Sequence, residues 1–510
     1  MQMFRARAAS IRLSSGTDPN RALALALLLG VSACHAAPRP IVVAGPPPAS
    51  GVVRLQQDIQ AILGRPELER SFWGLGVGSL RTGETLYTLN AGRLLMPGST
   101  MKILTLAAAA ERLGWDHAFD TRVFGVGPIA SGVLSGDLVV VGSGDPSMLD
   151  ADGTLIFDAL ADSLKSQGIH SITGRIIGDD NAFDDEALGP GWAWDDLAGR
   201  DAAPISGLQY NENTLQAVLE AGLDVGEAAT VRLAPAGHLY VDNQVLTSPA
   251  ESAPSITARR SPGSDRLELR GEIPLGSAPI VRAVSVDNPT LFFATALRDR
   301  LTASGIEVAG PSVDIDDLAG APASADAALL WTHRSPPLSA LATRLMKDSQ
   351  NLYAETLLKA IGSAAGRPTF EGGRMAAGET LMPWGLPPAG LVQVDGSGLS
   401  RYNYLTAETL VAVLTHVYLD ERLRGPFEAS LPIAGLDGTL AARMRGTAAE
   451  GNARAKSGTL ANVRSLAGYV TSWDGEPLVF AIIANNFGTM PEVAIAAIDA
   501  IVVKLAEFRR

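Results

Sequence analysis

Cysteine is nearly absent from this sequence. Cys34 is the only one in 510 residues, so no disulfide can form within a single chain. Histidine is scarce as well. The six are scattered, with no His-Glu-x-x-His and no Cys/His cluster, so no metal site is indicated and no motif asks for a cofactor. There is no Gly-x-Ser-x-Gly, which excludes the strained serine turn of the α/β-hydrolases. Gly142-Ser143-Gly144-Asp145 lacks the lysine that a phosphate loop needs and reads as a turn. Positive charge falls short of negative, leaving a net charge of −13 at pH 7. No excess of cations is available to neutralise a phosphate backbone, so a nucleic-acid partner is excluded. Lysine is rare: Lys102, Lys165, Lys347, Lys359, Lys456 and Lys504 are all there are.

What is present is a chain long enough for two or three domains, with 46% hydrophobic residues to build their cores. Its front end reads as an export signal. Arg5, Arg7, Arg12 and Arg21 precede the apolar run Ala22 to Val31, which at about ten residues is too short to span a bilayer. Val31-Ser32-Ala33-Cys34 resembles a lipobox, in which Cys34 is lipidated and anchors the chain to a membrane. The alternative is ordinary cleavage near Ala36 or Ala37. Residues 1–34 are therefore the signal, and the Pro/Ala-rich residues 35–50 a tether.

The globular part starts near Gly51 with an amphipathic helix on Val53, Leu55, Ile59 and Ile62. A hairpin follows, Phe72 to Leu80 and Glu84 to Leu89, turning at Arg81-Thr82-Gly83. From Phe119 short strand-like runs alternate with turns: Thr121–Val126, Gly136–Val141, Ser171–Gly178, Thr230–Leu233 and Arg266–Leu269. A helix is expected near Thr290–Ser304. Ala319 to Ala327 is rich in Ala, Pro and Gly and suits a domain boundary. From Pro337 the pattern is helical, and three strands and a closing helix end the chain: Arg454–Val463, Ser465–Trp473, Leu478–Asn485, then Pro491 to Phe508. The expected fold is α/β (α+β). A discontinuous catalytic domain, residues 51–118 and 326–510, has an antiparallel sheet with flanking helices. A large β-rich insert of two subdomains, residues 119–325, interrupts it.

The chain is organised around Pro97-Gly98-Ser99-Thr100-Met101-Lys102 and the apolar helix after it. Ser99 and Lys102 lie one helical turn apart on one face. A serine hydroxyl needs a base, and a neutral lysine can be one. Alone, this spacing is as well explained by a helix cap. Its company decides the reading. Lys102 is the only lysine with a serine three residues before it; Ser349-Gln350-Asn351 is the only Ser-x-Asn; Lys456-Ser457-Gly458 is the only Lys-[Ser/Thr]-Gly. The three occur in the order found in penicillin-binding proteins and β-lactamases. Ser99 is then the nucleophile and Lys102 its base. Ser349 relays a proton to the leaving amine, and Asn351 offers a donor and an acceptor to a substrate amide. Lys456 keeps Lys102 neutral by like-charge repulsion and attracts a carboxylate, with Ser457 and Thr459 adding hydroxyls. The N–H groups of Ser99 and Thr459 are candidates for an oxyanion hole. Such a site suits an acyl donor that ends in a free carboxylate.

With these motifs and the phrases Val141 to Pro146, Gly191 to Asp195, Asp395 to Arg401, Leu431 to Leu440, Arg443 to Thr459 and Leu466 to Val470, the chain resembles the D-alanyl-D-alanine carboxypeptidase/endopeptidase family of the penicillin-binding protein 4 type. The likeness covers nearly the whole mature chain, insert included. It implies a β-lactamase/transpeptidase-like catalytic domain and a periplasmic serine enzyme that needs no cofactor. That enzyme cleaves the terminal D-Ala-D-Ala bond of peptidoglycan stem peptides, and in some members D-Ala to diaminopimelate cross-links. It is acylated by β-lactams at Ser99. The motifs carry over as Ser99 and Lys102, Ser349 and Asn351, and Lys456, Ser457 and Gly458. Ser457 stands where threonine is commoner and keeps the hydroxyl. Gly98-Ser99-Thr100 stands where Ala-Ser-Asn is frequent and removes no reacting group.

Asp195 and Asp196, beside Trp192 and Trp194, are candidates for the free amine of a diaminopimelate side chain. Against this stands a buried tryptophan pair with surface acids. Two other functions compete. A β-lactamase or esterase on the same scaffold needs a deacylating group or Tyr-x-Asn in place of Ser-x-Asn. A non-catalytic envelope scaffold has no reason to keep the serine and both motif lysines. A homodimer is an assembly the sequence permits.

Overall fold

The computed structural model describes residues 50–149, 156–235, 239–320, 327–387, 389–488 and 490–510. The expected signal, Cys34, nearly all of the tether and the boundary at 325/326 lie outside the described residues. The chain divides into two units, Met1–Pro48 and Ala49–Arg510, and the second is the one described. Among the described residues no helix is long and apolar enough to cross a membrane.

The first helix, Gly51–Leu63, starts on Ser50, whose Oγ accepts from Val53 N, a usual N-cap arrangement. It buries Leu55, Ile59 and Ile62, spaced along one face. The hairpin Phe72–Ser79 and Thr85–Leu89 then joins the C-terminal strands in one antiparallel sheet. Its order is Thr85–Leu89, Phe72–Ser79, Pro477–Asn485, Val463–Thr471, Arg454–Leu460. The central strand Pro477–Asn485 is apolar throughout because both its faces are covered. Leu478, Phe480, Ile482 and Ala484 point to the layer of helices Gly51–Leu63 and Pro491–Glu507. Val479, Ala481 and Ile483 point to the opposite layer, built on helices Met101–Leu113, Asn351–Ala364 and Ala407–Leu419. This alternation is what a strand's period of two requires. In Phe72–Ser79 the large residues Trp73, Leu75 and Val77 take the first face. Gly74, Gly76 and Gly78 take the second, where helix Ala407–Leu419 packs close.

The insert has its own core. A five-stranded sheet runs Ser312–Asp314, Ile176–Asp179, Asp137–Val141, Asp120–Val126, Ala327–Arg334. Its first three strands are mutually parallel, and helices Ile156–Ser166 and Pro289–Ala303 pack against the module. A four-stranded sheet, Glu307–Val308, Ser171–Ile172, Val133–Leu134, Ile129–Ala130, and two three-stranded sheets complete it. The single strand expected over Ser171–Gly178 is two, Ser171–Ile172 and Ile176–Asp179, in different sheets. The turn between them is pinned by Arg175, whose backbone N and guanidinium both donate to Asp137. Strand Ala327–Arg334 pairs antiparallel with Asp120–Val126, so the insert's sheet runs past residue 325 to Arg334. Entry and exit are adjacent: Ser335 N donates to Phe119 O at 2.8 Å and Leu338 N to His117 O at 2.7 Å.

Candidate active site

Gly98–Thr100 forms a short 3-10 turn that leads straight into helix Met101–Leu113. Every residue from Met101 to Ala110 is buried, as befits a helix apolar on all sides. Lys102 is the exception in chemistry but not in burial; it is 0% exposed. Its Nζ donates to Ser99 Oγ at 3.0 Å, Asn351 Oδ1 at 2.6 Å and Ser397 O at 2.9 Å. Three acceptors match the three hydrogens of an ammonium. Burial lowers the Lys102 pKa to about 8, against the opposing fields of Glu355, Asp395 and Asp201. That is close to the range in which a general base works near neutrality. The sequence reading expected burial and nearby positive charge to lower it together. Burial leads, and the repulsion between the two buried lysines is mutual; with burial it holds Lys456 well below its ordinary pKa.

Lys456 lies on strand Arg454–Leu460, with its Nζ donating to Ser349 Oγ at 2.8 Å and to Ser457 O at 2.7 Å. It therefore ties the second motif to the third. Ser349 joins helices Leu338–Lys347 and Asn351–Ala364 with φ 58°. A serine seldom adopts this left-handed conformation, and such strain gathers at functional sites. Gln350 caps the second helix, and its Nε2 donates to Glu212 Oε2, from the insert, at 2.6 Å. Asn351 is committed within the protein: its Oδ1 accepts from Lys102, and its Nδ2 donates to Asp201 O at 2.8 Å. This differs from the expected free donor and acceptor for substrate. Ser457 Oγ donates to Thr439 Oγ1 at 2.7 Å. Gly458 has no room for a side chain; a Cβ would lie 2.4 Å from Pro97 O and 3.0 Å from Ser99 N. A Cβ on Gly98 would lie 3.0 Å from Thr459 N. The backbones that carry the Ser99 and Thr459 N–H groups are thus in direct contact.

A cleft of about 410 Å³ opens over this arrangement. Ser99, Ser349, Asn351, Ser457 and Thr459 line it, and Arg200, Asp201 and Thr439 line it too. The last three were not singled out from the sequence. Asp195 and Asp196 are exposed and stand on the segment that leads into the turn Arg200–Ala202, outside the lining. Trp192 is half-buried and donates from Nε1 to Asp395 Oδ2 at 3.1 Å. Trp194 is 62% exposed, so the two do not form a buried pair. The Asp196 carboxyl is held above its usual range by partial desolvation and then by Asp195 and Asp201.

Sequence reasoning passed over Glu355, and it read Asp395-Gly396-Ser397-Gly398 as a turn and part of the family likeness without giving it a role in the site. Glu355 is one helical turn after Asn351 on the same face, and that spacing was the available signal. It is fully buried and accepts from Gly396 N at 2.7 Å and Ser397 N at 2.8 Å. Thr105 Oγ1, from the Ser99 helix, donates to Gly396 O at 2.7 Å. Asp395 closes the turn, accepting from the N–H groups of Gly398 and Ser400 and from Asn403 Nδ2. The turn therefore bridges the two buried helices and presents Ser397 O to Lys102.

The model of the D-Ala-D-Ala carboxypeptidase 3 (S13) family matches residues 55–508. The chain belongs to this family. The D-alanyl-D-alanine carboxypeptidase of Actinomadura sp. (strain R39) is 38% identical over 476 residues, covering 90% of this chain and 86% of that one. The crystal structure of penicillin-binding protein 4 (dacB) from Haemophilus influenzae superposes with a TM-score of 0.76 at 27% identity, over 90% of this chain and 99% of its own. The structure of that protein complexed with a novel β-lactam gives a TM-score of 0.72 at 25% identity, over 89% and 100%. The S13 match takes in the insert as well as the sheet and helices around the cleft, so the fold is the penicillin-binding type expected from the three motifs.

Proposed function

We propose that this protein is a serine-type D-Ala-D-Ala carboxypeptidase that trims peptidoglycan stem peptides through an acyl-enzyme on Ser99. The carrying observation is Lys102 Nζ, buried and 3.0 Å from Ser99 Oγ at the floor of the cleft. Neutral Lys102 takes the Ser99 proton as Oγ bonds to the carbonyl carbon of the penultimate residue. The Ser99 and Thr459 N–H groups receive the oxyanion. As the C–N bond breaks, Ser349 passes its proton to the leaving amine and is reprotonated across its hydrogen bond to Lys456; the proton that Lys102 took from Ser99 is returned to this Ser349–Lys456 pair, which leaves Lys102 neutral again. Water then releases the acyl group, with Lys102 again taking the proton. The hydroxyls of Ser457, Thr459 and Thr439, with Lys456 behind them, receive the terminal carboxylate. A β-lactam enters the same steps as an amide beside a carboxylate, and the Haemophilus relative's β-lactam complex supports this. Residues 51–118 and 326–510 supply the catalytic groups in this reading. Asp195 and Asp196, in the shared field of Asp201, form an acidic rim for the free amine of diaminopimelate in cross-links. The site works in the periplasm, with Cys34 as a lipid anchor.

The test is release of D-alanine from a synthetic peptide ending in D-Ala-D-Ala, beside its L-Ala-L-Ala isomer. One equivalent from the first and none from the second is expected, with a penicillin adduct mapped to Ser99 by mass spectrometry. No D-alanine and no adduct with intact drug would sink the reading in favour of a scaffold. Rapidly hydrolysed drug without an adduct would make it a β-lactamase.

Gly398 tests the bridging turn. Its φ is +85°, and a Cβ there would lie 2.0 Å from Gly98 O, beside Ser99. Gly398→Ala must push the turn and the serine apart and carry Ser397 O away from Lys102. Misplacement on this scale costs up to about 100-fold in rate. Penicillin acylation of the variant, followed by stopped flow, should be slowed at least tenfold, by order of magnitude. An unchanged rate would show that the turn does not position the base.

A further inference from the structure

The sheet Tyr240–Ser248, Arg266–Pro274, Thr257–Arg259 has two unlike faces. Val245, Leu267, Leu269 and Ile273 turn inward to the insert core. The outward face is made of planar polar and aromatic groups in cross-strand rows, Tyr240 beside Arg266 and Asp242 beside Glu268 beside Arg259. The groups are fixed by one another. Arg266 donates to Asp242 at 2.6 Å, and Arg270 donates from Nε to Glu268 at 2.6 Å. Arg266 also lies over the Tyr240 ring at 5.9 Å, and Arg259 over Trp194 at 5.5 Å. Trp194 and Tyr240 are nonetheless 62% and 63% exposed. Between this face and the Trp194 segment is a hollow of about 350 Å³.

The Trp194 segment is the wall of the cleft seen from its other side. Seven residues on, Arg200 and Asp201 line the serine cleft. The segment is held to the insert by Arg260, fully inside, which donates to Leu197 O, Ser285 Oγ and Val286 O at 3.2, 2.8 and 2.9 Å. Ser285 Oγ donates to Leu197 O at 2.6 Å. One rigid ridge therefore separates two hollows, one with the serine and one without a reacting group.

We propose that the second hollow binds the sugar strand of the substrate, an N-acetylated hexosamine unit, while its peptide branch enters the serine cleft. This rests on the carboxypeptidase reading above. The lining excludes the alternatives in turn. It is too polar for an apolar ligand. Asp242 answers Arg266 and Glu268 answers Arg270 by direct contact, Arg260 is buried on three acceptors, and Arg259 lies over the Trp194 ring, so no cluster of unanswered charge favours a strong anion or a strong cation. Paired guanidinium and carboxylate groups keep outward N–H groups and lone pairs at fixed spacing, which neighbouring hydroxyls and an N-acetyl group can match. The exposed Trp194 ring, the aromatic of the lining, suits the C–H face of a pyranose. The volume is at the small end for ligand pockets, ~300–1,000 Å³, which fits one or two sugar rings and not a folded partner. The ridge is folded through turns between Trp194 and Asp201 and so falls well short of the ~25 Å that seven extended residues would span; an extended branch of about five residues, reaching ~17 Å, is what must bridge the two hollows.

The test uses the whole protein and two readouts. Tetra-N-acetylchitotetraose, titrated by calorimetry, is expected to bind saturably, and Trp194→Ala and Arg259→Ala each to weaken it at least tenfold. In kinetics, a disaccharide-linked stem peptide is compared with the same peptide without sugars. Arg259→Ala should raise KM at least fivefold for the sugar-linked peptide, leave kcat alone, and change neither the bare peptide nor penicillin acylation. That acylation also reports that the variant is folded. The proposal is overturned by no saturable binding, by binding that survives both substitutions, or by equal losses on the two peptides. Binding of anionic sugars alone, abolished by salt, would overturn it too. If the wild type cleaves neither peptide, the carboxypeptidase reading fails while the titration still decides the sugar site.

Discussion

Ser99→Ala is expected to abolish the penicillin adduct and to lower kcat/KM on a D-Ala-D-Ala peptide by about 10⁶, the order seen when a nucleophile is removed from a serine hydrolase whose groups act as a unit. No other hydroxyl can take over. Ser349 is held by Lys456, and Ser457 is spent on Thr439. Lys102 donates to Ser99 and to neither of these. Folding should be unaffected, because Ser99 Oγ contributes one hydrogen bond, from Lys102, which the ammonium can give up while keeping Asn351 and Ser397. The variant should therefore still bind substrate, with KM or a dissociation constant near that of the wild type. A slow adduct on another residue of Ser99→Ala would move the nucleophile elsewhere.

Glu355 carries the second large effect. It never reaches the cleft; it holds Gly396 and Ser397, and Ser397 O holds Lys102. Glu355→Ala leaves two buried N–H groups without partners at about 1–3 kcal/mol each. It also frees the loop that aims the base, so kcat/KM should fall roughly 10²-fold. Glu355→Gln separates position from charge. Lys102 acts only when neutral, so the wild-type rate should rise with pH and level off above about 8. Burial and then Asp395 push the Glu355 carboxyl up to about 8, so it titrates alongside Lys102 and the limb belongs to both; once ionised it favours the ammonium, as do Asp395 and Asp201, while Lys456 faces the pair from the sheet. Removing that negative charge lowers the Lys102 pKa further, so the acid limb must move to lower pH while the plateau drops. The pH profile of penicillin acylation checks this. A lower plateau with an unmoved limb would reduce Glu355 to a structural prop.

The reacting residues were legible because their chemistry demands fixed short spacings. Ser99 to Lys102 is one helical turn, and each of the other motifs fits within three residues. The sheet was legible because Phe72–Ser79 alternates large residues with glycine, and Pro477–Asn485 is a short continuous apolar run, as a strand covered on both faces is. What escaped depends on distant contacts. Arg200 and Asp201 have no motif; they reach the cleft because Arg260 ties the preceding segment to the insert. The acids nearer the tryptophans, Asp195 and Asp196, looked more apt and are outside the lining. Helix Phe370–Leu381 contains three glycines and resembles a loop in sequence. Gly372 and Gly373 are there because helix Asn351–Ala364 and Arg367 press against them. The pairing of Ala327–Arg334 with Asp120–Val126 escaped for a similar reason, since nothing local marks a strand's distant partner.

That sheet order also dictates when the enzyme can exist. Met96 is hydrogen-bonded to Asn485 across 389 residues, and Ser79 to Glu476 across 397. As the chain is synthesised or threaded out, the Ser99 helix is complete early, yet the strands it leans on arrive last. Contacts this remote form late, and until then a helix apolar on every side has nothing to cover it. A chain interrupted just before Arg454 would hold the serine, its lysine and the second motif and still be inert. Birth of activity is thereby tied to arrival of the final strands.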